Sequence, residues 1–175
     1  MACALTHTIS LDCTDSVGGI KNVYVGDSIV FTDETLGADG EITDITGTGT
    51  FYQFETPKDT ATYTGTLTVA PAAGTLYYAQ ELALTFHKLD AAKRNQLLLL
   101  AKNRDIKVVF EDNNGTIFLM GKVRGADASG GISVTGAAPG DMSGYTITLL
   151  ANEPAPEVSC TDGLASFIGM TFSTV

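Results

Sequence analysis

Residues 86–121, FHKLDAAKRNQLLLLAKNRDIKVVFEDNNGTIFLMG, decide the fold. Asp90 opens a helix that reads through to about residue 103, because a carboxylate there accepts from the free amides of a first turn. Ala91, Arg94, Leu97, Leu98 and Ala101 mark its expected inner face. Four consecutive leucines, Leu97 to Leu100, cover more than half the circumference, so contacts on two sides are expected. Lys102 and Arg104 suit the negative end of the helix dipole, and Asn103 suits a left-handed cap. Two apolar runs follow, 106–111 (IKVVFE) and 116–123 (TIFLMGKV). Between them, Asp112-Asn113-Asn114-Gly115 predicts a tight hairpin of type I′, which needs two positive φ values.

Outward from this stretch the chain reads as strands and turns. Residues 4–11 alternate as a strand. Residues 21–32 read as two short strands broken at Gly26-Asp27, or as one bulged strand. The acidic, glycine-rich residues 33–50 form a long hairpin or a flexible loop. Residues 51–55 and 61–70 are strands, the second with Thr62, Thr64, Thr66 and Thr68 on one face and Tyr63, Gly65, Leu67 and Val69 on the other. A long strand over 76–87 has Gln80, Ala83 and Thr85 at its wetter positions. Residues 130–140 read as a Gly-rich loop and 144–151 as the final core strand. The expected class is mainly β, a β-sandwich or small barrel with one flanking helix at about 90–103. Residues 1–157 make one β domain. Residues 158–175, poor in charge and ending apolar, make a C-terminal arm that packs on its own domain or on a neighbour.

Composition sets the outer limits. Of 175 residues, 44% are hydrophobic and 17% charged, too apolar for a disordered chain. No apolar run approaches the ~18 residues of a membrane-crossing helix, so no membrane anchor is expected. The first residues, MACALTHTISLDC, lack a basic segment and a long apolar one, so no signal peptide is expected and synthesis is intracellular. Cys3, Cys13 and Cys160 have no metal-ligand spacing and read as free thiols packed as small hydrophobes.

Charge is unevenly spread. The net charge is −10, with 20 acids against 10 bases. Residues 1–86 hold the bases Lys21 and Lys58 alone, so nearly all the excess acid lies in the first half. Such a surface repels phosphate and opposes stable nucleic-acid binding.

Catalytic chemistry is not expected. There is no nucleophile elbow, no phosphate-binding P-loop and no Cys/His dyad. Gly37-Ala38-Asp39-Gly40-Glu41-Ile42 looks like a calcium loop, but aligning Gly40 to the turn glycine places Thr46 where a bidentate Glu is needed. Neither a cofactor nor a metal site is expected. Phe51, Tyr52 and Phe54 come nearest to a sugar platform, and alternation assigns Tyr52 and Phe54 to the core instead.

Residues 76–131 and 135–158 carry an ordered set of short patterns. Lys88, Leu89, Asp90, Arg94, Leu97, Leu100 and Ala101 fall on the helix. Asp112, Asn114, Gly115, Phe118, Leu119 and Gly121 fall on the hairpin, and Gly140, Asp141, Gly144, Tyr145, Thr146, Thr148, Leu149, Glu153 and Pro156 on the last block. In this order they resemble virion proteins of tailed phages infecting Bacteroidetes, and the layout resembles the tail tube fold. The match covers less than half the chain, leaving residues 1–75 and 158–175 without a counterpart.

The resemblance implies a virion protein of the phage tail, assembled in the host cytoplasm. Its subunits form rings, commonly hexameric, stacked into a hollow tube whose inner wall is a continuous β-barrel, with other tail or neck proteins as further partners. DNA then passes an acidic wall without sticking. Asp27, Glu41, Asp44, Glu55 and Glu81 are the lumen candidates, and residues 33–50 a candidate arm to the adjacent ring. Leu97, Leu98, Ala101, Phe118 and Tyr145 are the structural core candidates. A head-tail or tail-tip adaptor, or a capsid-associated decoration protein, is the alternative, and a carbohydrate-binding β-sandwich module a more remote one.

Overall fold

The computed structural model describes residue 9 and residues 14–175. The strand expected at 4–11, with Cys3 and Cys13, lies outside them. The chain is mainly β: strands β1 (Ile20–Asp27), β2 (Val30–Leu36), β3 (Ile42–Thr48), β4 (Thr50–Gln53), β5 (Thr62–Ala70) and β6 (Thr75–His87) precede helix α1 (Ala91–Lys102). After it come β7 (Ile106–Asp112), β8 (Ile117–Met120), β9 (Asp127–Val134), β10 (Gly144–Glu153), β11 (Val158–Cys160), β12 (Phe167–Ile168) and β13 (Thr171–Ser173). They form two sheets. One has nine strands in the order β12-β3-β11-β8-β7-β1-β4-β13, with β2 added on β3, and curls into a half-barrel. The other has four strands in the order β5-β6-β10-β9, every pair antiparallel.

The continuous apolar run IKVVF has a simple cause: β7 is buried on both faces. Ile106, Val108 and Phe110 point toward the four-stranded sheet and meet Leu82, Leu84, Ile147 and Leu149. Val109 points the other way, into the hollow of the curled sheet with Ile42, Ile45, Phe51 and Phe167. β8 splits its side chains in the same way, with Met120 and Phe118 in the first cluster and Ile117 and Leu119 in the second. The expected core residues Phe118 and Tyr145 are half-buried and pack against the first cluster.

Residues 158–175 pack on their own domain, one of the two alternatives expected for them. β12 and β13 pair parallel with β3 and β4, and β11 pairs with both β3 and β8. Phe172 stacks on Phe51 at 5.0 Å and meets Tyr24 edge-on at 5.3 Å. The apolar tail is thus used within its own chain. Residues 33–50 take the long-hairpin form, β2 against β3, tied at the side by Lys122 to Glu34 at 2.5 Å.

Several local expectations change. Asp90 takes the cap position, but its carboxylate makes no capping bond. Asn103 has φ −84°, not a left-handed cap; its side-chain amide donates to Asp27 at 3.1 Å and ties the helix end to the end of β1. The side chain that anchors α1 is Leu100, 6% exposed, with Leu97 half-buried beside it. Leu98 and Ala101, expected in the core, are exposed. The run of leucines gives no phase of its own, and the helix lies on the core by only its Leu97–Leu100 side.

The Asn-Gly turn also differs. Gly115 donates its N–H to the carbonyl of Asp112, and Gly115 alone in the turn has positive φ, +88°. This is a type I turn followed by a left-handed glycine, the three-residue hairpin form. It leaves both asparagine side chains free to grip the segment just before β1. Val17 N–H donates to Asn114 Oδ1 at 2.8 Å, and Asn113 Nδ2 donates to the Gly18 carbonyl at 2.7 Å.

Gln80, expected at a wet position, is 1% exposed. It accepts from Gly121 N–H and donates to the Ala155 carbonyl, so burial is offset by bonds on both sides of its amide. The expected Gly-rich loop at 130–140 begins instead as strand β9. Gly131 is required there because a Cβ would meet the Thr146 carbonyl oxygen at 2.6 Å, and the register slips near Ser129.

Candidate functional site

The four-stranded sheet has one covered face and one bare face. Alternation along β6 sends Gln80, Leu82, Leu84 and Phe86 into the core and Ala79, Glu81, Ala83 and Thr85 the other way. Cross-strand partners in an antiparallel pair share a face. Thr62, Thr64 and Thr66 of β5 pair with Ala83, Glu81 and Ala79, so the threonine stripe of β5 joins the bare face. β10 adds Thr146, Thr148 and Leu150 through their pairing with Thr85, Ala83 and Glu81. β9 adds Asp127, Gly130 and Ile132.

The charge of this sheet is one-sided. None of β5, β6, β9 or β10 contains a lysine or arginine. The bare face carries two carboxylates in one cross-strand row, Thr64–Glu81–Leu150–Asp127. Glu81 and Asp127 stand two strands apart, about 10 Å at the usual strand spacing. The rest of the face is mostly hydroxyls and small side chains, with Leu150 and Ile132 as its larger apolar members. A polyanion near it meets repulsion and water-binding hydroxyls, and no cation to hold it.

The structure does not bring the five lumen candidates together. Glu81 alone lies on the bare face. Asp27 ends β1 in the other sheet and accepts from Asn103. Glu41 closes the β2–β3 turn, accepting from the Asp39 N–H at 2.9 Å. Asp44 lies on β3 opposite Thr35, and Glu55 lies past the end of β4, beside the start of α1. Acid content per half of the chain is blind to which sheet a residue joins, and the five candidates are spread over both sheets and their connections. The sharper signal, the lack of any base in four strands, required knowing that these strands are neighbours. Asp127 is not among the sequence candidates, since no strand is expected at 127–129 and residues 130–140 read as a loop.

Other polar groups are structural. Glu153, 3% exposed, accepts from the N–H groups of Val123 and Arg124 at 3.2 and 2.7 Å and shapes the turn between β8 and β9. Tyr63 donates to Glu157 at 2.8 Å, and burial together with that carboxylate pushes the phenol well above its ordinary range. Burial pushes the Cys160 thiol up to about 12, so it stays protonated and inert at neutral pH. Among the described residues, no group of three or more His, Cys, Asp or Glu could hold a metal, and no helix is long and apolar enough to cross a membrane. Of the aromatic trio, Phe51 is fully buried, Phe54 half-buried and Tyr52 exposed, the reverse of the expected phase at 51–52.

No family model, curated protein or solved structure matches the chain.

Proposed function

We propose that this chain is a phage tail tube subunit, with the bare face of the four-stranded sheet turned toward the lumen. The observation that carries this reading is the sheet β5-β6-β10-β9, whose exposed face is rich in hydroxyls, bears Glu81 and Asp127 and has no cation. DNA moving along a tube needs a wall it does not adhere to, and phosphate affinity is set first by lysine and arginine. A wall without either, and with a few carboxylates, suits passage.

The edges of the sheet suit closure. β5 and β9 are its outer strands, and each has one side unpaired among the described residues. Open edges of this length invite pairing. An even number of antiparallel strands keeps the alternation of direction when β5 of one copy meets β9 of the next. Six copies would make a barrel of about 24 strands, wider than the 16–18-stranded porins that hold an aqueous channel. In this arrangement the nine-stranded sheet and α1 form the outside of the ring and brace the wall.

Electron microscopy of the purified protein, concentrated and mixed with nucleating tail components, tests the proposal. Rings or hollow tubes are expected. A single ring that never stacks favours the adaptor reading, and isolated monomers throughout oppose both.

A further inference from the structure

We propose that Asn114 is a site of spontaneous covalent modification, and that its conversion to a carboxylate releases the segment before β1 in one direction only. Neither step depends on ring or tube assembly.

The chain has six asparagines, and Asn114 alone is followed by a glycine. The next backbone nitrogen in a chain can attack an asparagine side-chain amide, but a Cβ on the attacking residue crowds the approach. Gly115 has none, and the space a Cβ would fill holds no atom within 4 Å. Asn114 and Gly115 are both exposed, so water reaches the product. The Gly115 nitrogen forms a bond to Cγ of Asn114, and the Cγ–Nδ2 bond breaks. The proton lost by Gly115 leaves with Nδ2 as ammonia. Water then opens the resulting five-membered imide at either carbonyl, giving an aspartate or its β-linked isomer. Water is the sole co-reactant, and no electrons are transferred.

In the folded turn both reacting groups are engaged elsewhere. Gly115 donates its N–H to the Asp112 carbonyl at 3.2 Å. Asn114 Oδ1 accepts from Val17 N–H at 2.8 Å. Its Nδ2 donates to the Val17 carbonyl at 3.1 Å, to Asp112 Oδ2 at 2.8 Å and to Ser16 Oγ at 3.3 Å. The side chain must leave these partners before Cγ can turn back onto the Gly115 nitrogen. The reaction therefore waits for the clasp to open locally.

Conversion then opposes reclosure. The donor Nδ2 gives way to an oxygen that only accepts. That oxygen would face the Val17 carbonyl and the Asp112 carboxylate, which have no hydrogen to give it. The added negative charge also stands beside Asp112, in a chain whose net charge is already −10. The β-linked isomer lengthens the backbone by one carbon and displaces the Gly115 N–H from Asp112 as well. Asn113 keeps its own bond to the Gly18 carbonyl at 2.7 Å, so the release stops short of β1.

Peptide mass spectrometry, with enzymatic methylation of isoaspartate, tests the site on protein held warm at mildly alkaline pH, folded and in urea. Asn114 is expected to convert ahead of the other asparagines, and more slowly folded than in urea. Val17→Pro removes the N–H that holds Oδ1 and is expected to speed conversion of the folded chain several-fold. Ser16→Ala is a second, milder opening of the clasp, expected to speed it less. In Asn114→Asp, hydrogen exchange at Val17 should quicken while the β7–β8 amides keep their protection. An Asn114 that converts in urea and stays intact in the folded chain would overturn the site. Equal rates in urea, in the folded wild type and in both clasp variants would overturn the guard. Wild-type exchange at Val17 in Asn114→Asp would overturn the release.

Discussion

Thr64 on β5 is the cross-strand partner of Glu81 on β6, which places the single carboxylate of the two strands in the middle of a hydroxyl stripe. The pairing turns an acid count into a position. Glu81 faces the same side as Thr62, Thr66 and Thr148, away from the core, and shares its row with Asp127.

Reversing charge at these two positions is expected to slow DNA passage. Glu81→Lys with Asp127→Lys places two cations per copy on the bare face, and each cation at a phosphate strengthens binding in a salt-dependent way. Assembly should persist, since neither side chain enters the core. Ejection kinetics check this: slowing that is relieved by added salt is expected. Asp27, Glu41, Asp44 and Glu55 changed to Lys together should leave the rate unaltered, and a slowing there would move the wall elsewhere.

Leu100→Ala is expected to cost about 2–5 kcal/mol, the usual range for truncating a buried leucine. Leu98→Ala in the unassembled chain should stay within about 0.5 kcal/mol, as for other exposed positions. Urea denaturation of the two variants, compared at equal m-value, measures both. Equal losses would contradict the phase of the helix.

The helix shows how much of this molecule was legible in its sequence. Its existence and limits were, because Asp90, the leucines and the following strand bound it clearly. Its phase was not, because four leucines in a row look alike from every side. The threonine alternation of β5 and the end of β1 at Asp27 were readable from period and glycine placement. β9 was not, because Gly130, Gly131 and Ser133 have poor strand propensity and are held there by contact with β10. The bare face, as a site, needed the order of the sheet: β5 and β6 adjoin in sequence, but β10 and β9 enter only through long-range pairing.

Asn114→Ala should loosen the segment before β1 at Ser16 and Val17 without unfolding the domain. The side chain holds Val17 by two hydrogen bonds, from Val17 N–H and to the Val17 carbonyl, at 2.8 and 3.1 Å. Hydrogen exchange is expected to quicken at Val17, with the β7–β8 amides unchanged. Protection retained at Val17 would show that the clasp is redundant.

Stability should fall on acidification, partly through Glu111. Burial pushes its carboxyl up, but hydrogen bonds from Lys21 and Asn22, both 2.6 Å, outweigh that and hold it below the usual carboxylate range. Asp141 is likewise held low by the N–H groups of Ala138 and Ala137. A depressed folded-state value means that the stabilisation is present above the ordinary carboxylate pKa and is lost as pH falls through the lowered one. In Glu111→Gln the acid limb of a melting-temperature profile should become shallower. An unchanged limb would show that this pair contributes nothing.

The most direct test is a cryo-electron microscopy reconstruction of the assembled protein, read for which strands line the central channel. A hollow tube is expected, its inner wall formed by β5, β6, β10 and β9, with Thr64 and Glu81 facing the lumen and α1 outside. A channel lined by the nine-stranded sheet, or an assembly with no channel, would contradict it.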